Sequence, residues 1–197
     1  VKIDVRHNFP QALAQINGLQ RDLRDKVLAG ALNRVGDKAR TETSRAIRAE
    51  YNITADRVRN SLVLRRATSR GGRLVVELQA FGSGSKRGRS LNIKHFMEQR
   101  VTLAEARRRR KGGSLNVLRF KFRRTGGVKA LPQAFVLNVP GLPVFQRVGP
   151  GRKGIEPMQV IDVPQMFNAR KILKQVLARI DRAFPVEIAS QLRRFIR

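Results

Sequence analysis

Five consecutive cations, Arg107, Arg108, Arg109, Arg110 and Lys111, form the densest chemical signal in the sequence, and Arg119, Lys121, Arg123 and Arg124 follow soon after. Such a block repels itself and presents donors to oxygen anions, so its chemistry is recognition of phosphate or carboxylate. It admits three readings: a solvated loop, contact with nucleic-acid phosphates, or contact with an acidic protein surface. Only Phe96, Phe120 and Phe122 lie among these cations, too few aromatics for a base-stacking platform. Backbone electrostatics without sequence reading is the more economical form of nucleic-acid contact.

Catalysis has little material. The chain has no cysteine, which excludes disulfides, thiolate nucleophiles and Cys-based zinc sites. His7 and His95 are the only histidines and have no metal-ligand spacing. Asp22 with Asp25, and Asp37 with Glu42, fall among arginines on the outer side of a helix, where ion pairing explains them better than acid–base chemistry. A literal GxGxxG occurs at Gly149, Gly151 and Gly154. Pro150 interrupts it, and a strand follows where a pyrophosphate site needs a helix N-terminus. The segment therefore reads as a hairpin loop, and no enzyme, cofactor or metal is expected.

Charge sets the context for the cationic run. Against 42 Lys plus Arg stand 14 Asp plus Glu in 197 residues, giving +28, and residues 71–130 alone hold 16 basic and 3 acidic side chains. That excess exceeds what solubility needs, and it points to a polyanion or an acidic protein as partner. Self-repulsion disfavours a lone compact monomer at low salt and favours an assembled state. The 41% hydrophobic content permits a core. No stretch approaches about 18 uninterrupted apolar residues and the first residues lack the apolar core of a signal peptide, so a soluble chain made in the cytosol, without membrane contact, is expected.

The elements that would hold these cations can be read from periodicity. Val1, Ile3 and Val5 alternate with polar residues, as in a half-buried strand. From Pro10 to about Glu50, Ala12, Ile16, Leu19, Leu23, Val27, Ala31, Val35 and Ala39 recur at helical spacing, with Leu28 and Leu32 widening the stripe and Gly18 and Gly36 as fraying points. The stripe is too wide for one sheet, which suggests that neighbouring copies bury part of it. Asn52 to Leu62 reads as a short helix with Thr54 as N-cap. Leu62–Thr68 and Arg73–Phe81 read as strands of a hairpin turning at Ser69 to Gly72. Further strands are expected at Leu115–Arg124, Ala134–Val139, Val144–Val148 and Met158–Val163. Beyond Pro164, Leu173, Leu177, Ile180, Phe184, Ile188, Leu192 and Phe195 mark a helix that Pro185 should kink or divide.

The expected fold is α+β: a long N-terminal helix and a C-terminal helix packed on a mainly antiparallel β-sheet, with a flexible basic central loop. It is read as one domain, 1–197, with flexible basic insertions at about 82–90 and 103–114.

Two stretches carry a family resemblance. Residues 31–68, ALNRVGDKARTETSRAIRAEYNITADRVRNSLVLRRAT, resemble the N-terminal part of the phage minor tail protein Z (tail completion) family, a helix followed by a short helix and a basic strand. Residues 134–167, AFVLNVPGLPVFQRVGPGRKGIEPMQVIDVPQMF, resemble the second half of that family, with a strand carrying FQR and a last strand ending in PQMF. The basic central loop lies where the family also carries an Arg-rich insertion.

The resemblance implies a non-enzymatic structural subunit of the virion, at the head-proximal end of the tail, which completes the tail and helps join it to the head around the DNA path. Its implied partners are the terminator ring, the head–tail joining proteins and copies of itself, six by analogy to tail symmetry, with double-stranded DNA in the lumen as a further candidate. The rival reading is a sequence-nonspecific nucleic-acid-binding protein, and a weaker third is a host-directed inhibitor acting on an acidic target. In each, Arg107 to Lys111, Arg119, Lys121, Arg123 and Arg124 are the candidate contact residues.

Overall fold

The computed structural model describes residues 2–4, 21–69, 74–82, 91–98, 101–102, 104, 117–137, 141, 143–149 and 154–195. They group into two compact units, the first made of residues 1–47, 55–81 and 163–197, the second of 48–54 and 82–162. Strand pairing is antiparallel throughout the described residues. The fold is α+β as expected, but its strands form four small sheets in place of one.

The first unit opens with β1 (Lys2–Asp4), α1 (Arg21–Glu50), α2 (Ala55–Ser61), β2 (Leu62–Arg65) and β3 (Glu77–Ala80). Val27, Ala31, Val35 and Ala39 are buried along α1 at the anticipated spacing, while the stretch from Pro10 to Gln20 lies outside the described residues. Ala29, Gly36, Thr43, Ala46 and Ile47 bury a second face of the helix. Val27, Ala31, Val35 and Ala39 are thus covered within the chain, while Leu28 and Leu32, which widen the stripe, are half-buried.

Gly36 does not fray the helix. A Cβ there would lie 2.7 Å from Val76 Cγ1 and 3.0 Å from Leu64 Cδ1, so glycine lets the helix approach the hairpin closely. That hairpin is the expected one. β2 pairs with β3 from Leu62↔Ala80 to Arg65↔Glu77, and β1 covers the other edge of β3. The Asn33 side chain on α1 fixes the β2–β3 connection, donating to the Ala67 carbonyl at 3.0 Å and accepting from its N–H at 2.8 Å.

Two helices complete this unit, α3 (Val163–Phe167) and α4 (Arg170–Phe195). The PQMF segment, expected to end a strand, is helical instead. Val163, Met166 and Phe167 are each 0% exposed, and their i, i+3, i+4 spacing puts all three on one helical face. α4 runs unbroken through Pro185, so no second helix opens there. The ring has no N–H to donate, but Ala183, Phe184, Glu187 and Ile188 are buried on either side of it and hold the helix in place. The buried stripe begins Ile172, Val176, Ile180 rather than Leu173, Leu177, Ile180; Leu177 is 37% exposed and Phe195 41%. Both sets have helical spacing, and packing selects the first.

Several carboxylates of this unit pair with its cations. Glu187, buried on α4, accepts from Lys38 Nζ at 2.5 Å and Arg34 Nη1 at 3.4 Å on α1. The Gln191 amide oxygen, oriented toward Arg34, accepts from its Nε at 2.9 Å. Lys38 above all, then Arg34, holds the Glu187 carboxyl below its ordinary range, against the opposing pull of burial. Asp37 receives a two-pronged bond from Arg66 at 2.9 and 3.1 Å. Glu42 receives Arg45 at 3.5 Å, Asp25 lies 3.7 Å from Arg24, and Glu77 lies 4.0 Å from Arg65. Ion pairing is therefore the work of Asp25, Asp37 and Glu42.

The second unit holds β4 (Leu91–Asn92), a 3-10 turn (Ile93–Phe96), β5 (Leu118–Phe120), β6 (Lys129–Leu131), β7 (Ala134–Val136), β8 (Val144–Arg147), β9 (Ile155–Pro157) and β10 (Gln159–Val160). β4 pairs with β10, β5 with β6, and β7–β8–β9 form a meander. Ile93, Leu118, Phe120, Ala134 and Val144 form its core, with Met97, Phe122, Leu131, Val136 and Met158 packed around them. Asn92 joins the pieces: its Oδ1 accepts from the N–H groups of Val144 and Lys94 at 3.1 and 3.0 Å, and its Nδ2 donates to the Val144 carbonyl at 3.1 Å.

The glycine-rich segment connects β8 to antiparallel β9, as the hairpin reading requires and a dinucleotide site forbids. Gly149 has φ +95° and a Cβ on Gly154 would meet the Val148 carbonyl oxygen at 2.1 Å, so both positions demand glycine. Of the two expected basic insertions, residues 83–90, 103 and 105–114 lie outside the described residues.

Candidate anion-binding surface

Arg119, Lys121, Arg123 and Arg124 fall on one extended run of backbone, and main-chain pairing fixes that run. Leu118–Phe120 pairs with Lys129–Leu131 on one edge. On the other, Glu98 N–H donates to the Arg119 carbonyl at 3.0 Å and Lys121 N–H to the Phe96 carbonyl at 2.8 Å. Further along, Asn52 N–H donates to the Phe122 carbonyl at 2.9 Å and Arg124 N–H to the Glu50 carbonyl at 3.0 Å, flanking a bridge between Tyr51 and Arg123.

The period of a strand then sorts the side chains. Leu118 and Phe120 face the core at 6% and 0% exposure, so Arg119 and its alternates must face outward. Arg119, Arg123 and Arg124 are exposed and Lys121 is half-buried. Among the described residues no carboxylate pairs with any of the four. Arg119, Lys121 and Arg123 recur at roughly 6.7 Å intervals on the extended backbone, with Arg124 in the bend that follows.

The three aromatics do not serve as a stacking platform. Phe96 and Phe120 are 0% exposed, and Phe122 packs on Phe96 with ring centroids 5.4 Å apart. Base stacking needs an exposed ring face, so whatever meets this row is held by charge and not by bases. Arg107, Arg108, Arg109, Arg110 and Lys111, the sharpest feature of the sequence, lie outside the described residues. Sequence reasoning missed the clamp made by Glu50 to Asn52, a long-range pairing without a local signal. Among the described residues no group of His, Asp and Glu side chains is placed to hold a metal ion, and no helix is long and apolar enough to cross a membrane.

Comparison with known proteins gives one match. The family model of prophage minor tail protein Z fits residues 8–197. No curated protein and no solved structure matches the chain.

Proposed function

The chain belongs to the prophage minor tail protein Z family, a family of structural phage-tail proteins, and from that premise we propose that it completes the head-proximal end of the tail and helps join it to the head around the DNA path. Its neighbours there would be the terminator ring and the head–tail joining proteins, and its own copies would close a ring of six. The observation that carries this reading is the cationic row from Arg119 to Arg124, which has no carboxylate partner among the described residues, in a chain of a phage-tail family. Arg107 to Lys111 are further candidate contact residues in this proposal.

An acidic tail protein suits this row better than DNA does. Nonspecific phosphate contacts leave a protein free to slide along DNA and so fix no position, whereas joining tail to head needs contacts that hold one protein against another. The second reading, sequence-nonspecific nucleic-acid binding, draws on the same row. Symmetry-averaged images of particles labelled on this chain test the proposal. A closed ring at the head-proximal end is the expected result; a label at the distal end, or a single copy per particle, contradicts it.

A further inference from the structure

The β7–β8–β9 sheet has two unlike faces. Register sets Ala134 opposite Gln146 and Gln146 opposite Glu156, while Phe135, Phe145 and Pro157 form the adjacent row. Side chains alternate along a strand, so Arg147 and Ile155, themselves paired, share the face of that second row. The first face turns inward, with Ala134 and Val144 in the core. On the second, Phe135 and Phe145 are half-buried while Arg147, Ile155 and Pro157 are exposed. The two rings lie 6.4 Å apart and the Arg147 guanidinium sits 5.7 Å over the ring of Phe135.

The outer face of a one-sided antiparallel sheet is ordinarily polar. This one carries two aromatics, an isoleucine and a proline around one arginine, the composition found at the centres of protein–protein contacts. We infer that this face docks a partner protein whose contacting surface is apolar at its centre and acidic around it.

Three physical arguments select that occupant. A second copy of a +28 chain brings a net excess of like charge to this face, so a copy of itself is disfavoured here, and the contacts that close the proposed ring lie elsewhere. Duplex DNA offers phosphates, which gain nothing from Phe145 or Ile155. Arg147, seated over a ring and exposed, keeps guanidinium donors for a carboxylate. The contact must use the face and not the sheet edge. Met158 N–H points inward to the Val144 carbonyl at 3.0 Å, so Pro157, one residue earlier, turns its nitrogen outward with no hydrogen to give. The patch spans about 10 Å in each direction, well short of the roughly 800 Å² per partner of a stable contact. It is therefore the centre of an interface whose basic rim supplies the charge complementarity.

That the partner is a tail component rests on the proposed function. Tails from particles made without this chain are incubated with the purified protein at low and high salt, and bound chain is counted. Ile155→Asp and Phe145→Ser each lower attachment about tenfold, a loss typical of a contact centre, with melting temperature and duplex-DNA binding unchanged. Arg147→Glu gives a comparable loss, and Phe145→Leu, which keeps the apolar area, retains attachment. Normal attachment of folded Ile155→Asp and Phe145→Ser overturns the dock while leaving the tail reading intact, and so does a loss confined to Arg147→Glu. Failure of the wild-type chain to attach to such tails overturns both.

Discussion

In the first unit the cations Arg34, Lys38, Arg45, Arg65 and Arg66 each lie within 4.0 Å of a carboxylate. In the second, Arg119, Lys121 and Arg123 lie on an extended run held by backbone bonds, with Arg124 in the bend that follows, and among the described residues no carboxylate answers them. The same residue types therefore do different work. Where charge is paired it orders helices and connections. Where a rigid backbone holds it unpaired, it raises the energy of the isolated chain and lowers that of a complex with an anion. Net charge alone could not have separated the two, because it sums over both.

The comparison is sharpest on a single strand. Phe120→Ala removes a ring that is 0% exposed at the centre of the second unit's core, and should cost about 3–5 kcal/mol. Its neighbour Arg119→Gln should change stability by no more than about 0.5 kcal/mol. Chemical denaturation of the two variants checks this, and a comparable cost for Arg119 would mean that the row holds the fold together.

In the first unit the expected effects are intermediate. Gly36→Val places a branched side chain against Val76 and Leu64, where a Cβ already meets an atom at 2.7 Å, and should cost about 1–3 kcal/mol through overpacking. Glu187→Ala leaves Lys38 and Arg34 without their carboxylate. Those cations are 40% and 45% exposed and water compensates them in part, so the loss should be about 1–2 kcal/mol, below the roughly 3–5 kcal/mol of a fully buried pair.

The same pair has a pH signature. The carboxyl of Glu187 is held below its ordinary value of 4.5, so the folded state binds its proton less readily than the unfolded chain. The resulting stabilisation is present above about pH 4.5 and is lost as pH falls through the depressed value. Melting curves of wild type and Glu187→Gln should differ most near neutrality and converge in acid. A gap that stays constant would remove the ion pair as its cause.

Much of this contrast could be read from residue order, and its limits have physical reasons. The buried positions Val27, Ala31, Val35 and Ala39 repeat every four residues, so α1 was legible, as was the β2–β3 hairpin from the glycine pair in the sequence between its two apolar runs. β6, Lys129–Ala130–Leu131, has a single large apolar side chain, and β9, Ile155–Glu156–Pro157, is exposed along its length. Neither alternates, and each is defined only by its partner strand. The Ile172 and Leu173 stripes of α4 are equally periodic, so only packing could choose between them. For the candidate surface, composition indicated which residues are basic, while the outward ordering of Arg119, Lys121 and Arg123 depends on the distant pairing with Tyr51 and Phe96.

The smallest change in stability should accompany the largest change in assembly. Replacing Arg119, Lys121, Arg123 and Arg124 together with Gln should leave the melting temperature within a few degrees of wild type, because none of the four has an internal carboxylate partner. Tail incorporation of this variant, measured beside salt-dependent binding to duplex DNA, tests the external role of the row most directly. The account predicts a folded chain that no longer joins tails and that keeps whatever DNA affinity it has. A fall in the salt slope by about 0.9 for each lost phosphate contact would instead assign the row to DNA. Normal incorporation together with unchanged DNA binding would contradict any external role for these cations.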